Sequence, residues 1–88
     1  DKRGVSEFGS VIITSSENTK INSIQDLKGK SFAGANSLGL GGWILGYDYL
    51  LSQGVDLYTV ASRIDFLGRQ DNIDDAVIKR MVDAGVIR

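Results

Sequence analysis

The chain has 88 residues, 42% of them hydrophobic and 24% charged, a formal net charge of −1, and neither Cys nor His. This length and composition predict one folded globular domain, residues 1–88. The near-neutral charge gives no sign of nucleic-acid or membrane binding, and the lack of Cys and His excludes disulfides, the usual zinc sites and His-based catalytic triads.

The first part of the chain predicts two strands joined by a short helix. Residues 1–9 are interpreted as an irregular lead-in, and Ser10–Thr14 as a strand buried on both faces. Residues 23–30 predict a short helix, with Ser23 as its N-cap, Asp26 completing a weak capping box and Gly29 as a left-handed stop. Residues 31–35 then predict the second strand.

The remainder predicts two longer helices and two further strands. Residues 43–53 indicate a largely buried helix that ends at Gly54, and a helical turn is expected near residues 58–61. Residues 64–67 predict a third strand. A helix then starts at an Asp71 or Asn72 cap, with Asp74 and Asp75 in its first turn, and residues 82–88 return to extended structure.

This order, β-α-β-α-β-α-β, predicts an α/β fold. We expect a parallel sheet, mixed at most at an edge, with right-handed connections and helices on both faces. The chain opens without Met and ends in an extended run, so we also expect it to be a piece of a longer protein.

Ligands of such sheets bind outside the carboxyl ends of the strands. Three loops are expected there: residues 14–16, the glycine-rich stretch 34–42 and residues 68–70. Backbone N–H groups in a glycine-rich turn before a helix suit an anion or a polar ligand head, and Arg69 offers a fork of donors for an oxyanion. Arg88 is expected at the same edge.

Each of these features also has a plainer interpretation. Glycines between a strand and a helix are ordinary turn residues, and the stretch fits neither a phosphate-binding Walker loop nor the dinucleotide fingerprint. Trp43 and Tyr47 at helical spacing favour a core position over a ligand wall, and Arg69 is equally consistent with a solvated surface. The acidic residues after Arg69 would weaken an anion site. With no convincing nucleophile, carboxylate pair or metal cluster, no enzymatic activity, cofactor or metal is expected.

Longer motifs point to a family. Residues 10–13, followed by residues 24–33 with their Asp-Leu-Lys-Gly-Lys element, resemble the signature of type II periplasmic binding proteins. Residues 49–56, the Phe66-x-Gly68-x-x-Asp71 pattern and residues 82–86 resemble the phosphonate-binding-like branch. Gly41-Gly42-Trp43 and the ending 83–88 are most similar to the sensor domains of tetrathionate-sensor-type histidine kinases.

The resemblance implies one lobe of a two-lobed domain that closes on a small molecule, with a second lobe of the same chain as its partner. Ser37 and the turn to Gly42 match the family's binding loop, and Arg69 and Gln70 match positions that face the cleft. Asn36 is added because it lies in the glycine-rich turn beside Ser37. The expected ligand-binding residues are Asn36, Ser37, Leu38, Gly39, Gly41, Gly42, Arg69 and Gln70. The family's usual run of hydroxyl residues is replaced by Ser37-Leu38-Gly39-Leu40, and Arg69-Gln70 stands where the family has His. The ligand, expected to be an oxyanion, is therefore left open.

The implied parent is a bacterial sensor histidine kinase that signals by ligand-dependent lobe closure from the periplasmic or extracytoplasmic face of the inner membrane. The lobe would reach the membrane only through that parent. The alternative is the substrate-binding component of an ABC importer of the phosphonate type, and a fragment of an α/β hydrolase or transferase is third.

Overall fold

The computed structural model describes residues 4–9, 11–36 and 42–87. These residues form a five-stranded sheet with helices packed against it. In chain order the elements are β1 (Val5–Phe8), β2 (Ile12–Ser15), a 3-10 helix (Ile24–Leu27), β3 (Ser31–Gly34), α1 (Trp43–Ser52), α2 (Leu57–Val60), β4 (Arg63–Phe66), α3 (Gln70–Ile78) and β5 (Ala84–Val86).

The sheet is mixed, which corrects the parallel prediction. Its strand order is β1-β2-β5-β3-β4; β3 is parallel to β4 and to β5, but β2 is antiparallel to both of its neighbours. The four-residue 3-10 helix is the regular element described between β2 and β3, and it rises only about 8 Å. Because β5 is antiparallel to β2 and parallel to β3, β3 starts at the edge where β2 ends, and the connection between them does not return the chain across the sheet.

Strand β1 was missed, and the irregular lead-in predicted for residues 1–9 is wrong over Val5–Phe8. Residues 5–15 form a hairpin with Phe8 opposite Ile12 and Val5 opposite Ser15. The N–H of Val11 donates to the carbonyl oxygen of Phe8 at 3.2 Å, which closes the tight connection. A connection this short allows only antiparallel pairing.

The helices pack against two separate buried clusters. Neighbouring residues of a strand point to opposite faces, and accordingly Ile12 and Ile13 of β2 belong to different buried clusters. The cluster with Ile12 contains Trp43 and Leu50 of α1 and Leu57 of α2. The cluster with Ile13 contains Ile73, Ala76 and Val77 of α3.

Helix α1 lies where it was predicted but is less buried than expected. Trp43, Gly46 and Leu50 form its buried side. Ile44, Leu45 and Leu51 are 47%, 64% and 46% exposed, because the helix rests on the sheet along only one stripe.

Helix α3 begins at Gln70 with Arg69 at the N-cap, so the predicted cap at Asp71 or Asn72 is wrong. The Asn72 side chain instead donates to the carbonyl oxygen of Leu67 at 3.0 Å, which fastens the preceding loop. Because the helix starts early, Asp71 occupies the first turn, while Asp74 and Asp75 fall in the second.

Candidate ligand-binding edge

The loops that follow β3 and β4 are fastened to each other at the carboxyl edge of the sheet. Gly34 pairs with Phe66 in the register of the two strands. Beyond them, the N–H of Leu67 donates to the carbonyl oxygen of Gly34 at 2.8 Å, and that of Gly68 donates to Ala35 at 2.9 Å. The structure therefore places the first residues of the glycine-rich stretch and the Gly68–Gln70 turn at one edge, as the sequence predicted.

Four of the predicted site residues are described: Asn36, Gly42, Arg69 and Gln70. Asn36 directly follows the segment that is hydrogen-bonded to the β4 loop, and Gly42 is the N-cap of α1. Ser37, Leu38, Gly39 and Gly41 lie outside the described residues, as do Leu40 and Arg88.

The loop at residues 14–16 was predicted to lie at this edge with the other two loops. That prediction is wrong. Because β2 runs antiparallel to β5, Thr14 pairs with Ala84, the first residue of β5, at the opposite edge. Thr14 and Ser15 are buried, and the Ser15 hydroxyl accepts a hydrogen bond from the N–H of Glu17 at 3.2 Å. The Ser15 hydroxyl therefore serves a local turn.

Both longer helices begin without a side-chain cap from their N-cap residues. Gly42 has a φ of 91° and no side chain to offer, and Arg69 makes no capping hydrogen bond within the described structure. By contrast, the Asp26 carboxylate accepts from the N–H of Ser23 at 3.2 Å, and the Asp56 carboxylate accepts from Tyr58 at 3.2 Å. The helix starts that follow β3 and β4 thus present backbone donors of the kind that bind anions.

The Arg69 guanidinium is exposed and, among the residues that the structure describes, is held only by one surface ion pair. Its Nη2 lies 3.5 Å from Oδ2 of Asp71, and the two side chains are 78% and 79% exposed. An ion pair this exposed contributes little to stability, since water screens it and both side chains lose freedom in forming it. The guanidinium can therefore exchange Asp71 for another oxyanion at little cost.

Trp43 belongs to the core rather than to a ligand wall. It is 1% exposed, and its Nε1 donates to the Tyr58 hydroxyl at 2.8 Å. Gly34 leaves room for its indole, and Phe66 packs edge-on against it with ring centroids 4.9 Å apart. Phe66 itself is 41% exposed at the end of β4, a position that sequence reasoning did not select. The signal was present, since Phe66 lies within the family pattern and immediately before the turn.

Tyr47 is partly buried behind this aromatic group. Its hydroxyl donates to Oδ1 of Asp56 at a long 3.4 Å, and its ring lies 5.2 Å from that of Tyr58. Burial raises the pKa of Tyr47 above its usual 10.0, and the negative charge of Asp56 adds to the shift. Tyr47 is therefore neutral at physiological pH.

Across the described ranges, no three acidic side chains are grouped to hold a metal ion. No helix in these ranges is long and apolar enough to cross a membrane.

A family model for the periplasmic substrate-binding protein of phosphonate ABC transporters matches residues 1–88. The chain belongs to this family. Searches among curated proteins and among solved structures each returned no significant match. Membership in the phosphonate-binding family confirms the resemblance at the level of this periplasmic-binding branch, and it implies a small-molecule ligand and an extracytoplasmic location. Proteins of this family normally bind their substrates without chemical conversion.

Proposed function

We propose that this phosphonate-binding family member is the lobe of a ligand-binding domain that holds a small oxyanion at the carboxyl edge of β3 and β4. The proposed contacts are Arg69, Gln70, Asn36 and the backbone of the glycine-rich turn through Gly42. Ser37, Leu38, Gly39 and Gly41 complete the proposed set.

One observation carries this proposal. Two hydrogen bonds, from Leu67 to Gly34 and from Gly68 to Ala35, fix the two loops side by side. The loops lead into two helices that their own N-cap residues leave without side-chain caps. N–H donors at the helix starts and a weakly held guanidinium suit an oxyanion, which accepts several hydrogen bonds at once.

Signalling or delivery would follow from closure of a second lobe of the same chain onto the bound ligand. A ligand that contacts both lobes binds the closed arrangement more tightly than the open one, so it shifts the population toward closure. The closed state is then what a downstream module recognises.

Two kinds of full-length protein fit this lobe. The likeness of Gly41-Gly42-Trp43 and of the ending 83–88 to tetrathionate-sensor-type domains favours a sensor histidine kinase. The description of the matching family favours the binding component of an ABC importer. The remainder of the gene discriminates between them, because a sensor would carry a transmembrane helix and a kinase module after the second lobe.

We expect Arg69→Ala to weaken oxyanion binding by about 10- to 100-fold, the effect of losing charge-assisted hydrogen bonds. The measurement is a thermal-shift titration of the full-length protein with phosphate, sulfate and methylphosphonate. Lys79→Ala is the matched control, because it removes the same charge from an exposed residue just past the other end of α3 and should keep wild-type binding. The proposal fails if none of the three ions stabilises the wild-type protein, or if Arg69→Ala binds as tightly as the control.

A further inference from the structure

The candidate edge has an apolar side as well as a polar one. Arg69 and Gln70 begin α3, which packs on the face of the sheet that contains Ile13. On the other face, α1 begins at Trp43, and its next two residues, Ile44 and Leu45, are 47% and 64% exposed. The polar residues Arg69 and Gln70 and the exposed apolar residues of α1 thus lie on opposite sides of one sheet edge.

Phe66 is the rigid member of this apolar side. It is the last residue of β4 and points to the same face as Ile64, which packs against the cluster around Trp43. Its ring meets the indole of Trp43 at 75°, an edge-to-face arrangement that fixes aromatic pairs. Trp43 is itself held by its hydrogen bond to Tyr58. Phe66 therefore presents a part-exposed ring in a defined orientation, three residues before Arg69.

Resting on the proposed function, we propose that Phe66 contacts the carbon substituent of the ligand and thereby selects substituted oxyanions over inorganic ones. A phosphonate joins an anionic oxygen head to an organic group through a P–C bond, so it is polar at one end and apolar at the other. The edge has the same division: Arg69 and the start of α3 lie on one side, and the Phe66 ring lies on the other. Covering an exposed aromatic ring with an apolar group removes surface of both from water, which favours the larger substituent.

The test compares three probes in isothermal titration of the full-length protein: inorganic phosphate, methylphosphonate and phenylphosphonate. We expect the wild-type protein to bind phenylphosphonate about 10-fold more tightly than methylphosphonate, the gain from roughly 55 Å² of additional buried apolar surface. Phe66→Ala should bring that ratio close to one and leave phosphate affinity within about 2-fold, because phosphate has no substituent to contact the ring.

Two further variants keep the test decisive. Phe66→Leu preserves apolar packing against Trp43 and replaces Phe66→Ala if the latter does not fold; it should bind phenylphosphonate less tightly than wild type with phosphate affinity unchanged. Met81→Ala removes another exposed apolar side chain, 66% exposed at the opposite edge of the sheet, and should change no ratio.

The outcomes separate this inference from the proposed function. If no probe binds, the proposed function fails and the inference fails with it. If phosphate binds but wild type shows no preference between the two phosphonates, or both Phe66 variants retain the preference, the inference is overturned while the oxyanion site stands. A uniform loss for all three probes would assign Phe66 to lobe closure, which also overturns the contact proposed here.

Discussion

At the scale of single residues, Gly34 shows how one missing side chain shapes the edge. A Cβ at this position would collide with the six-membered ring of Trp43, lying 2.8 Å from its Cζ3. Gly34 lies outside the left-handed region of φ, so its backbone does not require glycine. The residue is glycine because the indole of Trp43 occupies the space, and that indole in turn supports Phe66.

We expect Gly34→Ala to lower the free energy of unfolding by about 1–3 kcal/mol, the usual cost of overpacking a core. Chemical denaturation measures the loss. Introducing the same change into a Trp43→Leu background should cost clearly less, since the smaller side chain relieves the collision. Equal costs in the two backgrounds would contradict this explanation.

At the scale of elements, α3 ends in an unusual way. Arg80 has a φ of 64°, the left-handed conformation that glycine adopts most easily. The N–H of Arg80 donates to Val77 at 3.0 Å, and that of Met81 donates to Ala76 at 2.8 Å, the pair of bonds typical of a Schellman motif. Helix α3 therefore ends at Ile78, two residues before Arg80.

Replacing Arg80 by Gly should therefore stabilise the fold by about 1 kcal/mol, because glycine avoids the strain of a Cβ in this conformation. The measurement is the midpoint and slope of urea unfolding. Lys79→Gly is the control: Lys79 has a φ of −80°, so glycine relieves nothing there and should destabilise. A gain from both substitutions would point to charge removal instead.

At the scale of the whole molecule, the sheet is fastened at the edge opposite the candidate site by residues 52 positions apart. Oδ2 of Asp83 accepts from both the N–H and the hydroxyl of Ser31 at 3.0 Å. In return, the N–H of Asp83 donates to the Ser31 hydroxyl at 2.9 Å and to its carbonyl oxygen at 3.1 Å. This exchange holds the start of β3 beside the approach to β5, and so aligns the strands whose other ends form the candidate edge.

We expect Asp83→Ala to cost about 1–3 kcal/mol, because it leaves part-buried donors of Ser31 without their acceptor. Asp65→Ala is the matched control. Asp65 forms an exposed ion pair with Arg63 at 2.9 Å, so its loss should cost less than about 1 kcal/mol. Equal effects in denaturation experiments would show that the Ser31–Asp83 exchange does not stabilise the sheet.

Much of this molecule is determined by the sequence alone. Glycines stop the 3-10 helix at Gly29 and α1 at Gly54, both with left-handed φ, and Asp26 binds the N–H of Ser23 as a capping residue should. These features are local, since each depends on residues within one or two turns. They can therefore be predicted from a short stretch of sequence. The family motifs can be identified from the sequence in the same way.

Only the tertiary structure decided the direction of β2, the existence of β1 and the burial of α1. Strand direction depends on whether a connection crosses the sheet, which a pattern of apolar residues does not encode. That direction moved Thr14 and Ser15 from the predicted site to the opposite edge. Likewise, Phe66 emerged as a candidate only when its ring was found half-exposed against Trp43, because exposure is set by contacts between elements distant in sequence.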